Sequence, residues 1–170
     1  MTAAAPLSIY LVATPGLEAP LAEEALAAGF AGASITDGGV TFAGTWHDVW
    51  RANLELRGAT RVLARIAEFR AMHLAQLDKR SRKLAWADVL HPGVPLRVEA
   101  SCKRSRIYHA GAAAQRVATA LREEFGATIA EDAALRIMVR IEDDLVTISI
   151  DTTGESLHKR GFKEAVSKAP

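Results

Sequence analysis

ASITDGGVTFAGTWHDVWRANLELRGATRVLARIAEFR, residues 33–70, is the stretch whose reading decides the fold. Asp37-Gly38-Gly39 separates the short runs Ala33–Thr36 and Val40–Ala43. Glycine tolerates positive φ, so two such runs joined by this triplet predict a β-hairpin. Thr45 with Asp48 three residues later has the form of a capping box that opens a helix. Along that helix Trp46, Val49/Trp50 and Asn53/Leu54 recur at helical spacing. From Thr60 to Arg70 the period changes to two, with Val62, Ala64 and Ile66 alternating against Arg61, Leu63 and Arg65.

Working outward to the N-terminal side, Ile9–Thr14 (IYLVAT) is a short apolar run ended by Pro15-Gly16, which predicts a buried strand. Between Leu17 and Ala28 the residues Leu17, Leu21, Ala25 and Ala28 share one helical face. Pro20 is tolerated only in the first turn of that helix, and Gly29 stands where a left-handed stop belongs. The order is β-α-β-β-α-β, the ferredoxin-like pattern.

Working outward to the C-terminal side, a second α/β unit follows. His73–Leu84 places Leu74, Leu77, Ser81 and Leu84 on one side, with Lys79, Arg80, Arg82 and Lys83 around the rest. Trp86 and Val89-Leu90 precede a turn at His91-Pro92-Gly93. Leu96–Cys102 alternates as a half-buried strand, with Leu96, Val98, Ala100 and Cys102 inward. Gly111–Phe125 is helical, with Ala114, Val117, Leu121 and Phe125 inward and Gly126 after its end. Leu135–Ile141 and Val146–Asp151 alternate on either side of Asp143-Asp144, and antiparallel pairing is expected in both units. The fold class is therefore α+β.

The net charge of +1 conceals an asymmetry along the 170 residues. Residues 1–50 have five acids and no Lys or Arg, residues 57–122 have fourteen bases against four acids, and residues 123–170 have ten acids against six bases. A central basic block of +10 favours phosphate backbones and counterion release if its side chains share a face. No run approaches the roughly 20 apolar residues of a membrane helix. With one cysteine, Cys102, an internal disulfide and a cysteine-cluster metal site are excluded, and a cytoplasmic protein is the simplest reading.

Catalytic patterns are missing. No two glycines are separated by a single residue, so GxG-type loops for dinucleotides or S-adenosylmethionine do not occur, nor does GxxxxGK[ST]. The six prolines are never adjacent, which excludes an (N/D)PP(Y/F) motif. His47-Asp48 lies at a helix start, where Asp48 has a capping role. His73, His91, His109 and His158 lack metal-ligand spacing, and Cys102 reads as a small core residue. No catalytic centre and no metal site are expected.

Four stretches together resemble one family. They are ATPGLEAPLAEEAL (Ala13–Leu26), GGVTFAG (Gly38–Gly44), VWRANLELRGATRVLARIAEFRA (Val49–Ala71) and DTTGESLHKRGF (Asp151–Phe162). They resemble the amino-terminal part of bacterial large-subunit ribosomal RNA guanine-N2 methyltransferases, and Ala169-Pro170 is similar to the start of that family's next motif. The resemblance implies a ferredoxin-like domain over 1–71, a THUMP domain over 72–158 packed with it, and a linker from 159 to 170. It further implies a methyltransferase domain in cis beyond this chain, which would use S-adenosylmethionine; no cofactor is expected here.

The implied role is binding of structured ribosomal RNA, and the residues suit it. Lys79, Arg80, Arg82 and Lys83 lie within about a turn and a half of one helix. Lys103, Arg104 and Arg106, with Tyr108, form a basic loop with few nearby acids in sequence, just ahead of the next helix, which carries Arg116. Helix N-terminal amides favour phosphate, and Tyr108 suits stacking on a base. Arg61, Arg65, Arg136 and Arg140 read rather as cross-strand salt-bridge partners, and Trp46, Trp50 and Trp86 as core or inter-domain packing. Two alternatives remain open at this point: a stand-alone RNA adaptor, and a protein-interaction module docking through its acidic first 50 residues.

Overall fold

The structure, a computed structural model, describes residues 6–159. The tail from Arg160 to Pro170, most of the expected linker, lies outside the described residues. Two compact units are present: one holds the described residues up to Leu63 and those from Glu155 on, the other is Ala64–Gly154. The first contains β1 (Leu7–Ala13), α1 (Glu18–Ala27), β2 (Ser34–Thr36), β3 (Gly39–Gly44), α2 (Trp46–Glu55) and the start of β4 (Ala59–Arg70). The second contains the rest of β4, α3 (Leu74–Ser81), β5 (Leu96–Lys103), α4 (Ala110–Ala120), β6 (Leu135–Glu142) and β7 (Leu145–Asp151).

In the first unit the strand order is β2-β3-β1-β4. β3 is antiparallel to both neighbours, with Ile9 opposite Phe42 and Ile35 opposite Val40. β1 and β2 therefore run parallel on either side of β3, as a β-α-β step with an inserted strand requires. The hairpin glycine is sterically obligatory: a Cβ on Gly39 would lie 2.1 Å from the Leu11 carbonyl oxygen. Helix α1 ends in a Schellman motif, in which Gly29 (φ 87°) donates to the Leu26 carbonyl and Phe30 to that of Ala25. Phe30 stacks at 4.9 Å on Phe42, and the Arg51 guanidinium sits 4.8 Å over the Phe30 ring while donating to the Ala28 carbonyl.

Three expectations, for α1, α2 and β4, are corrected. Leu17 caps α1 half-exposed, and the buried face is Leu21, Ala22 and Ala25. On α2 the buried residues are Val49 and Ala52, so Trp50 and Leu54 are 63% and 77% exposed. The inward stripe runs one residue further round the helix than the aromatic spacing suggests. On β4, Val62, Leu63 and Ala64 are all buried, so the expected alternation gives way where both faces of the strand are covered.

In the second unit the order is β4-β7-β6-β5. β6 and β7 form an antiparallel hairpin around Asp143 (φ 50°) and Asp144 (φ 62°), the two left-handed residues of a type I′ turn. Ile137, Val139, Ile141, Val146, Ile148 and Ile150 bury the face that their alternation predicted. β5 pairs with β6 in parallel, from Leu96↔Leu135 to Lys103↔Glu142, which corrects the expected antiparallel pairing. A parallel pair needs a crossover, and α4 supplies it. That helix is α-helical only to Ala120 and continues as one π turn, Leu121–Phe125, stopped by Gly126 at φ 73°. The wider turn rotates the last side chains, so Phe125 is half-buried, and Ala113 replaces Ala114 on the inner face.

The α2 capping box is the best-defined titratable feature of the first unit. Asp48 Oδ2 accepts the Thr45 backbone N–H at 2.8 Å and the Thr45 hydroxyl at 2.9 Å. Those hydrogen bonds, the backbone one foremost, hold its carboxyl below the usual carboxylate range. A depressed folded value stabilises the protein fully above the unfolded value and is lost as pH falls through the folded one. Asp48→Asn is therefore expected to flatten the acid limb of a stability–pH curve measured by urea denaturation; an unchanged limb contradicts this role.

Candidate nucleic-acid interface

The two helices of the second unit begin in the same way. His73 precedes α3 and His109 precedes α4, and each imidazole Nδ1 accepts a backbone N–H of its helix's first turn, from Gln76 at 3.4 Å and Ala112 at 3.1 Å. An accepting Nδ1 carries no proton, which leaves Nε2–H as a donor on each neutral ring. Both caps line one cleft of about 310 Å³, together with Met72, Leu74, Arg106, Ile107 and Tyr108. At the other end of α3, Arg82 bridges to Glu123 (2.7 Å) and Glu124 (2.9 Å) beyond the end of α4. The helices therefore run side by side in the same direction, with both positive dipole ends at the cleft. Tyr108 stands 85% exposed at its rim, and Arg106 rests its guanidinium on the Met72 thioether at 3.1 Å.

The remaining candidate cations divide sharply. Arg82 grips Asp78 (2.8 Å) in addition to Glu123 and Glu124, and these carboxylates raise its pKa further. That arginine ties α3 to α4 and presents little free charge. Lys79, Lys83 and Arg116 are exposed and make no ion pair among the described residues. Arg80 is exposed too, with its guanidinium 6.0 Å from the Phe69 ring centre.

The basic loop has a packing role that its sequence hid. Lys103 pairs with Glu142 at 3.2 Å, and Arg104 (φ 46°) with Glu142 at 2.8 Å and Asp143 at 3.0 Å. The Arg106 backbone N–H donates to Asp144 Oδ1 at 2.8 Å, while its guanidinium lies 3.9 Å from that carboxylate. Arg140 chiefly and Lys103 next hold the Glu142 carboxyl below its ordinary range, and Arg104 does the same for Asp143. Far from lacking acids, the loop is laid along the acidic β6–β7 turn.

Strand arginines behave as salt-bridge partners. Arg136 pairs with Glu99 and with buried Asp151, Arg140 with Glu142, and Arg97 with Glu99. Trp86 is buried, its indole N–H donating to the Ser81 carbonyl at 2.9 Å. Cys102 is half-buried, and burial pushes its thiol pKa up. Among the described residues no His, Cys, Asp and Glu side chains gather as a metal-ligand set, and no helix is long and apolar enough to cross a membrane.

Residues 8–63 match the family model of the RlmL ferredoxin-like domain. That stretch is an RlmL ferredoxin-like domain. Across 98% of its length the chain is 35% identical to a ribosomal RNA large subunit methyltransferase K/L of Syntrophotalea carbinolica, taking in 24% of that protein. The enzyme of the same name from Methylococcus capsulatus is 31% identical over 95% of the chain and 23% of its own length. The chain thus spans about a quarter of the curated relatives it matches. Among solved structures, a predicted N6-adenine-specific DNA methylase from Listeria monocytogenes superposes with a TM-score of 0.83 at 28% identity, over 98% of this chain and 45% of that one. The resemblance to the amino-terminal part of large-subunit ribosomal RNA methyltransferases stands, as does the α+β class. Every candidate RNA contact, from Lys79 to Arg116, lies beyond the RlmL ferredoxin-like domain.

Two parts of the site escaped sequence reading. The histidine caps were not legible, since His73 read as the first residue of its helix and His109 lay two positions ahead of the expected start at Gly111, and the acidic partner of the loop appears only once β5 and β6 are in register. If His109 is a cap, His109→Ala costs about 1 kcal/mol of stability and His109→Asn restores most of it, by urea denaturation. Equal losses for both variants contradict the capping role.

Proposed function

We propose that this chain grips structured ribosomal RNA for a guanine-N2 methyltransferase, delivering the target base to a catalytic domain in cis. In this reading a THUMP domain covers residues 72–158, and 159–170 leads to the domain that uses S-adenosylmethionine. The observation that carries the proposal is the cleft where α3 and α4 both begin. Two helix N-termini, two imidazole Nε2–H groups and Arg106 surround one space with donors suited to phosphate. Tyr108 at its rim offers a face on which an unpaired base stacks. Lys79 and Arg116 add exposed cations along the same two helices, with Lys83 just past the end of α3 and Arg80 beside them; Arg82, bound by three carboxylates, does not. The likeness to ribosomal RNA large subunit methyltransferases supports RNA as the ligand.

The chain's own residues do not fit S-adenosylmethionine. The β5–α4 connection, Arg104 to His109, contains no glycine, so it lacks the positions at which a cofactor's closest backbone approach is ordinarily made. The part played here is to bind, orient and exclude water around an RNA segment. Recognition runs mainly through backbone and shape, because side chains do not reach into the deep major groove of A-form RNA.

Tyr108 gives the cleanest test, since it is 85% exposed and its loss leaves folding nearly untouched. Tyr108→Ala is expected to weaken binding of a fluorescein-labelled RNA hairpin with an unpaired loop by about tenfold, the order of one lost stacking contact. The salt dependence should stay the same, since no charge is removed. Undiminished affinity in that variant contradicts the cleft as the RNA site.

A further inference from the structure

Among the described residues three that are not glycine hold a left-handed backbone, and all three lie where the basic loop meets the β6–β7 turn. They are Arg104 (φ 46°), Asp143 (φ 50°) and Asp144 (φ 62°). Such residues persist where their surroundings over-determine them, often at ligand clamps and switch regions. The type I′ turn sets Asp143 and Asp144, and ionic contact with that turn holds Arg104. Arg104 places Nε and Nη2 on the two Asp143 carboxylate oxygens at 3.1 and 3.0 Å, and Nη2 also on Glu142 at 2.8 Å. That two-pronged contact is the one an arginine fork makes with a phosphate. A type I′ turn is ordinarily built from Asn-Gly or Asp-Gly, and this one carries two charges instead. Arg104 and Asp143 are 58% and 63% exposed, so water screens their pair and one anion exchanges for another readily.

We propose that the turn Glu142–Asp144 is a built-in stand-in for RNA phosphate, which shapes the basic loop Lys103–Arg106 in the free protein and is displaced from it by the RNA backbone. The proposal rests on the RNA-gripping reading above. Its consequence is selectivity. Three loop cations (Lys103, Arg104, Arg106) face three carboxylates (Glu142, Asp143, Asp144), of which Glu142 is shared with Arg140, so the turn offsets most of the charge the loop would present to a passing polyanion. A tethered carboxylate has a high effective concentration and outcompetes a single phosphate. An RNA that presents several phosphates in the right array, while engaging the cleft, displaces it. Glu142 and Asp143 are thus specificity-determining residues that lower affinity for every RNA.

The test uses the full chain carrying Glu142→Gln and Asp143→Asn, titrated with the same fluorescein-labelled hairpin across a potassium chloride series. Asn tolerates the left-handed backbone of the turn, and a thermal melt checks that the variant folds. Binding is expected to tighten about three- to tenfold, with the salt slope steeper by about one to two phosphate contacts. Asp143→Asn alone, at its exposed position, gives the same direction if the double variant melts early. Unchanged or weaker binding by a folded variant, while wild type binds, overturns the stand-in and leaves the RNA reading intact. Absence of binding by wild type and variant alike at low salt overturns both.

Discussion

The parallel pairing of β5 with β6 is the constraint on which the candidate site depends. Parallel neighbours cannot be joined by a turn, so the chain must leave β5 at Lys103, cross the sheet and return at Leu135. The crossover creates α4 and places its N-terminus next to the end of β5. The register does the rest. Because Lys103 lies opposite Glu142, the residues just past each strand, Arg104 and Asp143, meet without further adjustment. The cap of α4, the basic loop and the acidic turn are all consequences of one hydrogen-bonding register.

The same geometry changes the meaning of the basic block. Its sequence suggests a broad cationic face, but several of its arginines, like the strand arginines beyond it, neutralise carboxylates brought to them by folding. Arg82 holds the ends of two helices together, and Arg97, Arg136 and Arg140 work across neighbouring strands or along one. Around the two helices the exposed cations are Lys79, Arg80, Lys83 and Arg116, with Arg106 at the cleft. Placed along one pair of helices, they suit recognition of a shaped RNA, whereas charge alone supplies sequence-independent binding.

The ferredoxin-like order was legible because each signal was local: the glycine-rich hairpin, the Thr45–Asp48 box and the Gly29 stop all formed as read. Helix faces were less legible where bulky residues misled, as with Trp50 and Leu54, whose aromatic and aliphatic bulk pointed to a core that Val49 and Ala52 in fact supply. Strand pairing was not legible from alternation, which is identical for both directions, although a helix between two strands was a cue to parallel pairing. The loop's acidic partners lie about forty positions away in the chain, and only the register brings them together. For the same reason the cleft, built from two short segments around residues 73 and 108, left no single motif in the sequence.

The central claim is that RNA meets this chain at the shared start of α3 and α4. Ultraviolet cross-linking of the full chain to an RNA hairpin, followed by peptide mapping, tests it most directly. The account predicts cross-links at Tyr108 and in the Lys103–Arg116 segment around it. Cross-links confined to the RlmL ferredoxin-like domain, between residues 8 and 63, would contradict it.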